Sequence, residues 1–269
     1  NSFSGMAIGT LPFIYALWPV INNKYLKIGL MILGVFSVNI IIFTGSRTGY
    51  VATCAFIFFI FILSQHKWKF FILGLLLAIF TVNILPNGYL HRFRSIYSQE
   101  ERIGGSVSKR KQILEDAIKI FMSNPLGVGI GAFPKVRNER FGRSQDTHNL
   151  YLEVATNIGI HGFFVFFGLL SYMYVILIRI YKNIEYQLYY LYDLNSSDAI
   201  KYHIQDLRFM KAIVIAISLF IGVRLALGMF GMDLYEIYWW FALGTSVAIY
   251  NINNQAKEIT NMLSLESQQ

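Results

Sequence analysis

The chain has 269 residues, 55% of them apolar and only 14% charged, against a charged share of about 25% in soluble domains. A soluble globular chain is thereby excluded, and the single cysteine, Cys54, sits inside an apolar run, which excludes a disulfide framework and a thiolate metal site. The formal charge of +8 does not indicate nucleic acid, because the cations lie between apolar runs rather than along one face; a bilayer surface or an anionic lipid suits them better.

A membrane-crossing helix needs ~20 mostly apolar residues, and ~17 suffice. The sequence predicts seven such spans, near 5–21, 27–43, 48–64, 69–85, 155–178, 210–230 and 235–251. The expected fold is all-α, a polytopic membrane helix bundle. Residues 1–85 hold four spans, 86–149 form an extracytoplasmic loop with an amphipathic helix, and 150–269 hold three spans. A cytoplasmic connection at 180–210 and a cytoplasmic tail complete the last part. Trp18, Trp68, Trp239 and Trp240 fall at span ends, where an indole sits half wet among headgroups. The chain opens at Asn1-Ser2-Phe3 with neither an initiator Met nor a charged leader, and is expected to continue a longer polytopic protein with further spans upstream.

Short-loop cations set the orientation. Lys24, Lys27, Lys67, Lys69, Arg179, Lys182, Lys201, Arg208 and Lys211 share one side, which the positive-inside rule makes cytoplasmic. The 44–48 hairpin, the 86–149 segment and the 231–236 turn then face outward. The 86–149 segment carries eleven Lys/Arg against six Asp/Glu, so the outer loop is electropositive; long loops translocate regardless of their charge.

Chemistry concentrates in that outer region. In Thr44-Gly45-Ser46-Arg47-Thr48-Gly49 two readings compete: a hairpin whose arginine snorkels to headgroups, or small donors and one arginine gathered around a phosphate. Residues 106–124 read as an amphipathic helix stopped by Pro125 and Gly127. Ile113, Leu114, Ala117, Ile118, Ile120 and Phe121 make its apolar face, and Glu115, Asp116 and Lys119 lie mostly opposite. Arg110 lies near the centre of that apolar face, where a charge is costly unless it meets an anion; an interfacial helix reaching headgroups is the alternative. The run Gly127-Val128-Gly129-Ile130-Gly131 lacks the strand–turn–helix context of a nucleotide loop, and reads as a tight exit anchored by Phe133. His148, at the junction of outer loop and fifth span, is placed to take a hydroxyl proton near neutral pH. His66 and His203 read as solvated cytoplasmic residues, and His91 and His161 as weaker candidates. Arg224, inside the sixth span, calls for substrate or for a carboxylate such as Asp233 or Glu236. No acidic or His/Cys cluster has metal-ligand spacing, so no metal or other cofactor is expected.

Three segments in this order resemble the O-antigen ligase/polymerase membrane family: Ser46-Arg47 in a hairpin, Arg110 opening a helix before Pro125-Leu126-Gly127-Val128-Gly129-Ile130-Gly131, and His148-Asn149 with Tyr151-Leu152-Glu153. Leu114 departs from a tryptophan frequent in relatives. The resemblance implies a bacterial inner-membrane glycosyltransferase of lipopolysaccharide or related surface-polysaccharide assembly, its site facing the periplasm. Its partners would be an undecaprenyl-diphosphate-linked glycan, a glycan or lipid acceptor and the bilayer, with no nucleic acid. Arg47 and Arg110 would hold the diphosphate and His148 would be the base, with Ser46, Asn149, Glu153 and Arg224 in supporting positions. Ligase and polymerase remain alternatives, as does a transporter or flippase of lipid-linked oligosaccharide, although the halves show none of the repeat symmetry of transporters.

The orientation is checked by cysteine scanning. In a Cys54→Ser background, a cysteine at Arg140 should react with an impermeant maleimide on intact cells, and one at Asn195 should not; the reverse pattern inverts the topology.

Overall fold

The computed structural model describes residues 2–64, 106–194, 197–231 and 234–266. These form eight helices and no strand: α1 (Ser2–Leu17), α2 (Lys24–Phe43), α3 (Arg47–Leu63), α4 (Ser106–Ser123), α5 (Phe133–Phe141), α6 (Leu150–Tyr192), α7 (Asp198–Gly228) and α8 (Ile237–Glu266). Six predicted spans fall on α1, α2, α3, α6, α7 and α8; the seventh, at 69–85, lies outside the described residues. Helices α2, α6 and α7 are long and apolar enough to cross a membrane, and α1 and α3 are shorter apolar helices. Only 11% of the most apolar stretch of α2 is buried, whereas 61% of that of α7 is. The bare face of α2, with Met31, Ile32, Val35 and Phe36 exposed, suits lipid; α7 belongs to the protein interior.

The helices outlast their apolar runs. Within 180–210 only a short break separates α6 from α7, and α8 continues through the expected tail to Glu266. Continuous apolarity ends there, but one face keeps being buried. Ile184, Leu188 and Leu191, and then Ile200, Leu207 and Met210, recur at three- to four-residue or two-turn spacing.

The chain forms two compact units. One contains Asn1–Ser4, Ile41–Val165 and Leu225–Leu234. In it Ala117 and Ile120 of α4 pack on the fully buried Phe133 of α5, flanked by Val128, Val136 and Leu152. The other contains Gly5–Ile40, Phe166–Arg224 and Tyr235–Gln269. There Ala16 of α1 meets Ala212 and Ala216 of α7, small residues that let helices approach closely. The rings of Phe13, Phe220 and Phe241 contact one another at 5.7–5.9 Å. A buried polar chain ties α6, α7 and α8. Gln187 Nε2 donates to Asn253 Oδ1 at 3.3 Å, Thr260 Oγ1 donates to Gln187 Oε1 at 2.8 Å, and His203 Nε2 pairs with Thr260 Oγ1 at 2.8 Å. His203 is thus buried structure and not the solvated residue expected from sequence. Its helical spacing from Ile200 and Leu207 turns it inward.

One break organises the first unit. Within α6, Gly159 adopts φ 78°, ψ −173°, a region essentially confined to glycine. The break frees peptide groups that the glycine-rich exit from α4 takes up. Val128 N–H donates to Thr156 O at 2.9 Å, Gly129 N–H to Asn157 O at 3.0 Å, and Ile160 N–H to Pro125 O at 2.9 Å. The approach is so close that a Cβ on Gly159 would lie 2.3 Å from Leu126 C, and one on Gly127 (φ +89°) would lie 2.7 Å from Asn157 O. Asn157 Oδ1 also accepts from Phe133 N–H at 3.2 Å, joining α5 to the same break. Gly159→Ala or Gly127→Ala should therefore cost more than ~1 kcal/mol and lower the thermal midpoint. Gly168→Ala, where an added methyl meets nothing within 4 Å, should leave it unchanged in the same detergent melt.

Candidate active site

The 44–50 segment is a capped helix start. Gly45 takes φ 57°, and its N–H donates to Ile42 O at 3.2 Å. Ser46 is extended and buried, and its Oγ accepts from Gly49 N–H at 3.2 Å, the N-cap bond of α3. Tyr50 Oη donates back to Ile42 O at 3.0 Å and braces the turn. A Cβ on Gly49 would come within 3.1 Å of Ser4 Cβ, so that glycine serves close packing. Ser46 thus shapes the turn, and Arg47 is the first residue of α3, at the positive end of the helix dipole.

Helix α4 buries part of its apolar face, shifted toward Asp116. The buried residues are Ile113, Asp116, Ala117 and Ile120, while Leu114, Ile118 and Met122 are exposed. The cause is an ion pair. Asp116 Oδ2 accepts from Arg137 Nε of α5 at 2.9 Å, with the side chains only 4% and 1% exposed, and Arg143 Nε lies 3.6 Å from the same oxygen. Arg137 Nη1 also donates to Gln145 O at 3.2 Å. A desolvated carboxylate must be paired, and satisfying it draws the Asp116 side of the helix into the core. Arg110 is exposed. At 100° per residue it falls between the row of Ile113 and Ala117 and the exposed row of Leu114 and Ile118, central among the apolar residues but at the margin of the face that is buried.

The arginine network ends three residues before His148. Among the described non-glycine residues His148 alone has positive φ, at 49°, and its side chain is exposed. Its neighbours hold it there. Buried Thr147 donates from Oγ1 to Asn149 O at 3.2 Å and accepts from Asn149 N–H at 3.4 Å. Asn149 Oδ1 accepts from Leu152 N–H at 3.0 Å, capping α6, and its Nδ2 donates to Met229 O at 3.1 Å. Tyr151 Oη donates to Leu225 O at 3.1 Å, and buried Glu153 accepts from Leu234 N–H at 3.4 Å. The His-Asn-x-Tyr-Leu-Glu element is therefore one outward imidazole carried on four tethered neighbours. Glu153 faces inward as a backbone acceptor.

Arg47, Arg110 and His148 belong to one unit, and among the described residues no hydrogen bond or ion pair joins Arg110 to His148. Arg224 belongs to the other unit. It is 2% exposed, donates from Nη1 to Gly5 O at 3.4 Å, and its guanidinium lies 3.2 Å from the Tyr238 ring centroid. Glu236 is exposed, and Asp233, His66 and His91 lie outside the described residues. Helical His161 is exposed. No group of three His, Cys, Asp or Glu that could hold a metal occurs among the described residues. Sequence reasoning missed Asp116, Arg137, Thr147, Asn157 and Gly159. The available signal was Asp116 itself, an acid at helical spacing from Ile113 and Ile120.

The described residues make an all-helical polytopic membrane bundle with an amphipathic helix between the apolar ones and an exposed histidine just before the longest helix. The chain belongs to the O-antigen ligase family: the model of that description matches residues 7–167, more than half of the sequence. The match takes in the hairpin, α4, α5 and the His148–Glu153 element; Arg224 falls beyond it. No curated protein and no solved structure gives a match. Membership places the chain among membrane proteins of glycan transfer in lipopolysaccharide-related assembly, in the inner membrane of bacteria.

Loss of either partner of the Asp116–Arg137 pair should cost roughly 3–5 kcal/mol, the usual penalty for stranding a buried charge. In thermal melts, Asp116→Leu/Arg137→Leu should be less destabilised than the sum of its single variants. Additive effects would mean that the pair is uncoupled.

Proposed function

We propose that the chain transfers glycan from an undecaprenyl-diphosphate-linked donor to an acceptor hydroxyl at the outer face of the bacterial inner membrane. The observation that carries this reading is His148: an exposed imidazole in a left-handed backbone conformation, held by Thr147 and Asn149 in a family of glycan-transfer proteins. A backbone of that kind costs about 1–3 kcal/mol and is retained where its surroundings over-determine it, commonly at functional sites.

The chemistry needs two things. Diphosphate leaves readily once cationic donors stabilise the charge developing on its bridging oxygen, and Arg47 at the start of α3 with exposed Arg110 on α4 fill that role. The acceptor hydroxyl must lose its proton as its oxygen forms the new bond to the anomeric carbon, and neutral His148 takes that proton. The arginines supply the positive charge that a divalent ion supplies elsewhere, so transfer proceeds without metal. Ser46 and Asn149 cap the helices that present Arg47 and His148, and Glu153 anchors the same turn. A polymerase and a ligase share this half of the reaction and differ in the acceptor.

Arg47→Ala or Arg110→Ala should weaken both donor-lipid binding and turnover, and Arg→Lys should restore part, because a point charge lacks the planar fork. His148→Ala should keep donor binding while transfer falls ~10²–10⁴-fold. Binding and product formation are measured on one purified full-length preparation, with and without chelator. Near-normal transfer by His148→Ala, or activity lost to chelation and restored by Mg²⁺, would overturn the assignment.

A further inference from the structure

A cavity of about 880 Å³ lies in the second unit, bounded by the C-terminal part of α6, the first turns of α7 and the α1–α2 connection. Its floor is apolar, made by Ala16, Leu188, Ala212 and Ile215. Its remaining wall carries three cations, Lys201, Arg208 and Lys211, against a single carboxylate, Glu185. An apolar base beneath a cationic wall matches an amphiphile with an anionic head.

The cations are not equivalent. Lys211 Nζ is 2.9 Å from Glu185 Oε1, and Lys201 Nζ is 2.9 Å from Asp198 Oδ1, so both have carboxylate partners. Arg208 forms no ion pair among the described residues. Its Nη2 donates to the Tyr192 hydroxyl, and its guanidinium lies 5.7 Å from that ring's centroid. The hydroxyl contact orients the planar fork and provides no carboxylate to neutralise its charge, a state suited to a phosphodiester.

The surroundings select a lipid over a soluble anion. The wall includes Tyr189 and Tyr192, and exposed Trp18, which follows α1 and precedes the lining residue Pro19, has Lys27 Nζ 5.8 Å from its ring centroid. These are the residue types that collect at the headgroup level of a bilayer. A second cleft of about 300 Å³ shares Val20, Asn22 and Gln205 with the first. It is bordered by apolar Ile21, Leu26 and Phe209, with Asp206 the one carboxylate among its lining residues, and Leu26 is exposed on α2. Basic pockets between transmembrane helices bind acidic lipid heads in this way.

We propose that this cavity is a binding site for an anionic phospholipid, with Arg208 on the phosphodiester and the acyl chains over the apolar floor. The lipid comes from the leaflet at the Lys/Arg-rich helix ends, expected to be cytoplasmic, so the site is separate from the proposed transfer site. The full-length protein, stripped of lipid in detergent, is titrated with phosphatidylglycerol or with phosphatidylcholine of the same chains, and bound lipid is counted by native mass spectrometry. Wild type should prefer phosphatidylglycerol about tenfold, because both lipids offer a phosphodiester but choline sets a quaternary ammonium against the Arg208 charge and glycerol does not. Arg208→Gln should abolish the preference and Arg208→Lys should keep part of it; the lysine variant decides the matter if the glutamine variant fails to fold by circular dichroism. Lys257→Gln, on an exposed part of α8, should retain the preference, as should His148→Ala, which separates this test from the glycan-transfer reading. Equal binding of the two lipids, or an undiminished preference in Arg208→Gln, overturns the proposal. Displacement of phosphatidylglycerol by millimolar inorganic phosphate would make the cavity an anion pocket and also overturn it.

Discussion

Peptide groups released by the break in α6 and peptide groups of the exit from α4 satisfy one another, and the first unit depends on that exchange. Away from water an unpaired N–H or C=O costs several kcal/mol, so a broken helix needs partners of its own kind close by. Pro125, Val128 and Gly129 supply them at Thr156, Asn157 and Ile160. Only glycine at 127 and 159 lets two backbones come so near. Once the exit is seated, Phe133 follows into the core and α5 is set against α4.

Electrostatics then fixes the loop that seating alone would leave loose. Arg137 bonds Asp116 on one side and the Gln145 carbonyl on the other, so one guanidinium links two helices and the strand of chain leading to His148. The 86–149 segment has more cations than anions, and a share of that positive charge is consumed internally. Arg110 and Arg140 stay accessible, whereas Arg137 does not.

Much of this was legible from composition, because a lipid-facing helix such as α2 must be apolar over nearly its whole length. The amphipathic extensions of α6, α7 and α8 were less so, since a helix leaving the hydrocarbon keeps only one apolar row. The face of α4 misled for a related reason. Apolar periodicity sets Leu114 and Ile118 on one face with Ile113 and Ala117, whereas the buried face takes in Asp116, whose partner at Arg137 has no sequence mark. Gly159 likewise sat unnoticed inside a predicted span. Ser46, Asn149 and Glu153 stood out through the resemblance as supporting residues, and their contacts give them architectural duties: two caps and a backbone acceptor.

The left-handed backbone at His148 has an evolutionary consequence. Asparagine and aspartate, like histidine, are enriched severalfold in that conformation among non-glycine residues. A change of His148 to asparagine would therefore leave the turn between Thr147 and the α6 cap nearly as it is, while removing the imidazole. On the proposed reading of His148 as the base, a lineage of this family could lose proton transfer in that single step and keep the fold of the turn. A sequence that keeps the tethers but carries asparagine at this position would be the trace of such a descent.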